Sequence, residues 1–286
     1  MATFSLKILD KNGNTICVSS GEDFAGLVCT AEYKEGDRIV LETSEKNIHV
    51  FLQLDDAMGP AFCYLTDHLS YDIPFGEKRI CYSPKVFWGN RHYLYVRAAR
   101  EDEIYAYRNL ALNVCDSHGD THCFPHAYAN VETRGESVFA ARNAIDGICE
   151  NRSHGEWPYE SWGINMQDDA EMTVDFGRET EADRVVLFTR SDFPHDNWWT
   201  EITLSFSDGS EIIWKLEKSS LPHVLTFEKK KITWIRLSRL IKSDDPSPFP
   251  ALSQIEVYGR VLPEQRKTGA QIDTENRTGA QTDTEN

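Results

Sequence analysis

The sequence predicts an all-β protein of two units in tandem: an antiparallel β-sandwich over residues 1–116 and a jelly-roll-like unit over residues 125–260. Three observations carry this. Short apolar runs alternate with polar residues at period two, as in Phe4, Leu6, Ile8 and in Ile48, Val50, Leu52, Leu54. Turn-forming residues separate the runs, among them Asp10-Lys-Asn-Gly13 and Asp208-Gly209. No stretch with a helical period longer than about two turns competes. A chain of 286 residues is long enough for two cores.

In the first unit, Phe4–Ile8 and Thr15–Val18 flank the first turn and form a hairpin. Strands follow at Arg38–Leu41, Ile48–Leu54, Ala61–Leu65, Arg79–Tyr82, Tyr93–Arg97 and Leu110–Val114. Their even spacing reads as a sandwich. A loop group of Asp55, Asp56, His68, Tyr71, Asp72 and His92 carries polar chemistry, but no mechanism follows from it.

In the second unit, Val138–Ile145 has helical spacing and ends on the turn Asp146-Gly147. Strands are expected at Met172–Phe176, Val185–Phe188, Ile202–Phe206, Glu211–Leu216, Val224–Phe227, Lys231–Leu237 and Gln254–Tyr258. Beyond Leu262 the decapeptides 267–276 and 277–286 repeat almost perfectly, with one Ile and no aromatic, so residues 263–286 read as a disordered tail.

The formal charge is −16, from 46 acidic and 30 basic residues, which repels phosphate backbones and excludes nucleic acid as a partner. No run approaches the roughly 18 apolar residues of a membrane span. The N-terminal MATFSLKILD has no basic segment followed by an apolar one, so a cytoplasmic location is expected, or a secreted one if a leader precedes it. The seven Cys are irregularly spaced and read as reduced, mostly buried thiols.

Two stretches concentrate functional chemistry. Between the units, Cys115, His118, His122, Cys123 and His126 supply zinc-type ligands, but Gly119 and Pro125 oppose the helix that would align the histidines. The stretch reads either as a metal site or as a polar linker. The second is the loop Arg190–Trp199, which places Arg190, Asp192, His195, Asp196, Asn197, Trp198 and Trp199 in ten positions. An aromatic ring beside Arg, Asp, Asn and His suits a hydroxyl-rich ring such as a sugar. Trp157 precedes Pro158 in the same unit and joins this set. If a strand begins here, Trp198 and Trp199 face opposite sides, one toward the core and one outward. There is no Gly-x-Ser-x-Gly elbow, phosphate-cradling Gly loop or His-Glu-x-x-His, so no enzyme is expected.

Asn143-Ala-Ile-Asp-Gly147, Trp162-Gly163, Thr173–Gly177, Ala182–Leu187, Ile235–Leu237 and Ala251–Gly259 follow one another in the order of a discoidin module. The span from about Pro125 to Arg260 therefore resembles the discoidin, or coagulation factor 5/8 C-terminal, family, which overlaps galactose-binding-like carbohydrate-binding modules. The resemblance implies an eight-stranded galactose-binding-like jelly roll. It also implies a structural calcium, with Asp146 as the surest ligand, the carbonyls of Asn143 and Ile148, an oxygen of Asn151 or Ser153, and Gln254 where the family has Glu. The alternative is that Asp146-Gly147 is a tight turn. The function expected is non-catalytic binding of a glycan or oligosaccharide. A protein–protein interaction or scaffold module is second, and a metal-assisted hydrolase on the His-rich linker third.

Overall fold

The computed structural model describes residues 1–119, 121–150, 155–191 and 196–263. The repeats at 267–286 lie outside them, and with them the expected tail apart from Pro263. The protein is all-β, as the alternation requires.

The first unit contains β1 (Thr3–Leu9), β2 (Thr15–Glu22), β3 (Phe24–Cys29), β4 (Arg38–Thr43), β5 (Ile48–Gln53), β6 (Ala61–Leu65), β7 (Leu69–Asp72) and β8 (His92–Ala98). They form two sheets, in the orders β2-β1-β4-β7 and β10-β6-β5-β8-β3, where β10 is Cys123–Phe124. Both sheets send alternate side chains into one core, including Phe4, Leu6, Ile8, Leu41, Val50, Leu52 and Val96. The period-two runs supply these residues, which is why the sandwich is legible in the sequence.

Four expectations are corrected here. Arg79–Tyr82 is not a strand: Gly76–Arg79 is a 3-10 turn, and the following residues turn again before β8. Leu110–Val114 is not a strand either. After the short α1 (Glu101–Ile104), Arg108–Asn109 forms β9 and pairs with the last strand of the second unit, while Leu110 and Ala111 bury in that unit's core. Further along, Cys115 and Cys123 return to the first core, and β10 pairs with β6. The chain thus crosses between the units three times between Ala98 and His126, and the boundary at 116 falls within this stretch. Third, the cysteines are not all reduced: Cys17 and Cys29 form a disulfide, and Cys63, Cys81, Cys115, Cys123 and Cys149 are free. Fourth, Val138–Ile145 is two 3-10 turns, Ser137–Phe139 and Ala141–Ile145, separated by an extended Ala140 at φ −72°, ψ 150°. All five residues of the second turn are buried, so no polar face is left for an amphipathic helix.

The second unit adds β11 (His126–Ala129), β12 (Trp162–Gly163), β13 (Met172–Arg190), β14 (Asp196–Asn197), β15 (Trp199–Phe206), β16 (Glu211–Lys215), β17 (His223–Lys242) and β18 (Phe249–Val261). The main path runs β12-β18-β13-β17-β15-β16. Two pairs of expected strands are each one long strand. In β13 the halves are joined through Gly177 at φ +67°, where a Cβ would run into the Phe124 ring, and the pairing with β17 slips between Asp175 and Thr180. Val174 and Phe176 before the bend and Val185 and Leu187 after it enter the same core. One hydrogen-bonded sheet thereby folds over itself in a jelly-roll manner. No helix among the described residues is long and apolar enough to cross a membrane.

Candidate functional site

The Arg190–Trp199 loop is largely turned inward. Trp199 is 1% exposed and packs on Trp162, ring centroids 6.3 Å apart, while Trp198 is half-buried. One of the two indoles is therefore a core residue, as strand geometry requires. Asn197 is fully buried and holds the following loop. Its Nδ2 donates to the carbonyls of Ser247 (2.6 Å), Asp245 (3.2 Å) and Ser243 (3.5 Å), and its Oδ1 accepts from the Ser243 hydroxyl (2.7 Å) and Trp198 N–H (2.7 Å). Asp196 is buried and pairs with Arg190, whose Nε lies 3.4 Å from its Oδ2. Internal hydrogen bonds and an ion pair engage Asn197 and Asp196, and Trp199 is packed in the core with its Nε1 without a hydrogen-bond partner among the described residues. Asp192 and His195 lie outside the described residues.

Arg190 and Trp157 belong to a different cluster. β12 and the end of β13 flank the same strand, with Gly163 and Arg190 both paired to Ala251 of β18. The segments 157–161 and 190–191 therefore meet at one end of the sheet, where Arg190 Nη1 donates to the Tyr159 carbonyl at 2.6 Å. Five buried polar atoms here lack a hydrogen-bond partner among the described residues: Trp157 Nε1, Glu160 Oε1, Ser161 Oγ, Arg190 Nη2 and Ser191 Oγ. Glu160, Ser161, Arg190 and Ser191 are each more than nine-tenths buried. Folded proteins pair nearly all such atoms, because an unpaired one costs about 1–3 kcal/mol. Burial pushes the Glu160 carboxyl up; the Trp157 N–H is close enough to favour its carboxylate form, yet falls outside hydrogen-bond geometry.

Trp157 also lines a cleft of about 640 Å³ between the units, opposite Met58, Tyr82 and Lys85 and beside Arg142 and Asp146. Arg142 is 4% exposed. Its Nε donates to the Asp116 carbonyl and its Nη1 to Asn143 Oδ1, each at 2.9 Å, and its guanidinium lies 4.6 Å from the centre of the Tyr82 ring. The Asp146 carboxyl, pushed up to about 7 by burial, lies 3.9 Å from Arg142 Nη1. Arg142 draws it the other way, and the neighbouring cation is itself held well above its usual range, mainly by Tyr82 and Cys81 against the effect of burial. At 3.9 Å the two make an attraction without a hydrogen bond, so burial governs Asp146.

Side-chain oxygens at three positions of the calcium set that the resemblance implies accept hydrogen bonds within the chain. Asp146 Oδ1 accepts from Ile148 N (2.9 Å), Asn143 Oδ1 from Arg142, and Gln254 Oε1 from Gly147 N (3.1 Å). One carboxylate is offered where calcium takes six to eight oxygens, and a guanidinium stands beside it. Asn151 and Ser153 lie outside the described residues. Gly147, at φ +89°, makes the tight turn.

The His- and Cys-rich linker disperses. His126 Nδ1 lies 2.7 Å from Asp116 Oδ1, His118 Nε2 lies 3.1 Å from Glu132 Oε2, and His122 Nδ1 lies 3.3 Å from Thr66 Oγ1. Cys115 and Cys123 are buried in the first core, and burial drives the Cys115 thiol far upward. No group of three or more metal-type side chains occurs among the described residues. A second groove of about 470 Å³ runs past His118, His126 and Glu132. In the first unit, His92 is buried between Asp55, 3.4 Å away, and the stacked Tyr33 ring, 3.9 Å away, so it is a packed core residue.

Sequence reasoning missed Glu160, Ser161, Ser191 and Arg142. The only local signal was the aromatic-rich run Trp157-Pro-Tyr-Glu-Ser-Trp162, in which an acid sits among rings.

No family model matches the chain, and no curated protein matches it. Solved structures are similar to it. The chitosan-binding module 1 of a chitosanase/glucanase from Paenibacillus sp. IK-5 is 19% identical, with 53% of this chain and 98% of that one covered at a TM-score of 0.38. The family 32 CBM of C. perfringens NanJ, in complex with galactose, is 19% identical over 46% of this chain and 91% of its own, TM-score 0.36. A fucose-binding module from Streptococcus pneumoniae is 16% identical over 52% and 96%, TM-score 0.37. The likeness is one of fold, over about half of the chain.

Proposed function

We propose that this protein binds carbohydrate without transforming it, at the cleft that Trp157 lines, beside the buried cluster of Glu160, Ser161, Arg190 and Ser191. The observation that carries the reading is the set of five buried polar atoms without a partner among the described residues. An indole N–H and a guanidinium N–H donate, a carboxyl oxygen accepts, and two hydroxyls do either. Such a mixed set beside an aromatic wall matches the alternating hydroxyls and apolar face of a pyranose better than it matches an ion or a purely apolar ligand. Catalysis of glycoside cleavage needs one ionised and one protonated carboxyl group. Here burial shifts the Asp146 and Glu160 carboxyls in the same direction, both upward.

A protein partner is the second reading. It is favoured by Phe24 and Val28 of β3 and Tyr93 of β8, which share the outer face at the edge of the first unit and are 41–58% exposed. The disulfide suits an oxidising compartment better than the cytoplasm.

Isothermal titration of the full chain against a panel of mono- and oligosaccharides tests the reading. Wild type should bind at least one with a Kd of about 1 mM or tighter, equivalent to about −4 kcal/mol. Trp157→Ala should weaken that binding about tenfold, or about 1.4 kcal/mol. Absence of binding across the panel refutes the proposal.

A further inference from the structure

We infer that the saccharide site is shared between the two units, so that the protein reads an oligosaccharide of two or more rings rather than a terminal ring alone. The inference rests on the carbohydrate reading above and assigns a role to the first unit. One wall of the cleft belongs to the second unit, through Arg142, Asp146 and Trp157. The facing wall belongs to the first, through Met58, Tyr82 and Lys85. At about 640 Å³ the cleft falls within the volume range of ligand pockets, and its lining comes from both units.

The first-unit wall is held in place from both sides. Arg79 Nη2 donates to the carbonyls of Val86 (2.8 Å) and Pro84 (3.2 Å), which pins the turn that carries Lys85. The Phe87 N–H donates to Asp55 Oδ2 at 3.1 Å, holding Phe87 at φ +56°. Across the junction, Ser137 donates its N–H to Glu77 Oε1 (2.6 Å) and its hydroxyl to the Glu77 carbonyl (2.7 Å). Arg142 lies over Tyr82, and its Nη1 is 3.8 Å from Cys81 Sγ. A wall fixed before binding costs little to order when the ligand arrives.

The chemistry of this wall suits a second ring. Met58 and Tyr82 present apolar surface beside Lys85, which is exposed and has no acidic partner among the described residues. The ammonium can donate up to three hydrogen bonds to ring hydroxyls.

The test is titration calorimetry on the full chain with galactose, glucose, N-acetylglucosamine and glucosamine, and with the β-1,4-linked tetrasaccharide of each. Wild type should bind one tetrasaccharide at least tenfold more tightly than its monosaccharide. Met58→Ala and Lys85→Ala, at half-buried and exposed positions, should remove most of that advantage. A tetrasaccharide-to-monosaccharide ratio near one in wild type, or a ratio that both variants leave intact, overturns the inference. If monosaccharide binding that depends on Trp157 persists in that case, the carbohydrate reading stands and only the shared site falls. If none of the eight sugars binds wild type, both fall together.

Discussion

Removing the Arg142 guanidinium should loosen the junction between the units, and calcium should have no part in holding it. The side chain is 4% exposed and makes two 2.9 Å hydrogen bonds, to the Asp116 carbonyl and to Asn143 Oδ1. A hydrogen bond to a charged group contributes about 1.5–3 kcal/mol, and deleting one member of a buried ionic group costs about 3–5 kcal/mol. Arg142→Met keeps most of the volume and should cost about 4 kcal/mol. For a chain of this size that is about 8–16 °C in Tm, read by differential scanning calorimetry. The same guanidinium opposes a divalent cation. An ion bound to Asp146 would sit roughly 5 Å from it, where the repulsion is about 7 kcal/mol at an effective dielectric near 20. Wild-type melts in millimolar calcium and in chelator should therefore coincide, whereas a site filled at a hundred times its Kd would add about 2.7 kcal/mol. A variant that melts within 2 °C of wild type, or a wild type stabilised by calcium, refutes this reasoning.

Three further outcomes are expected. Asp146 titrates at about 7 in the folded chain against an ordinary 3.8, so the fold holds its proton more tightly; that contribution is full below about pH 4, fades as pH rises toward 7, and is flat above. Asp146→Asn should therefore gain on wild type by about 4 kcal/mol between those limits in urea unfolding, and a pH-independent difference would contradict it. Asn197→Ala strips the 243–247 loop of its anchor and should cost about 3 kcal/mol, with faster amide exchange confined to that loop; unchanged exchange there would count against the anchoring role. Peptide mapping should recover Cys17 linked to Cys29, and reduction should destabilise the first unit by about 3 kcal/mol, given a sequence separation of 12; recovery of both as free thiols would refute the bridge.

The strands were legible wherever a period of two put one face into a core. Phe4, Leu6 and Ile8 are fully buried, as are Val50, Leu52 and Leu54 of the second clean alternation, since alternation is a property of neighbouring residues. Arg79–Tyr82 and Leu110–Val114 were misread because their apolar residues serve turns and the crossing between units, where no period applies. The candidate site was legible only in Trp157 and Arg190. Chemistry-rich loop residues were equally suited to a ligand or to the protein's own carbonyls, and for Asn197 the carbonyls took them.

The sequence by itself determined an all-β chain, two cores, an acidic surface and a discoidin-like order of motifs in the second half. These follow from composition and from spacings within a few residues. Only the tertiary structure decided that Trp199 faces inward, that Arg142 stands beside the Asp146 turn, and that the polar atoms of Glu160, Ser161, Arg190 and Ser191 gather in one place. A side chain's partner is set by which distant strand passes beside it, and β18, which brings Gly163 and Arg190 to the same residue, lies about 60 positions beyond Arg190 in the chain.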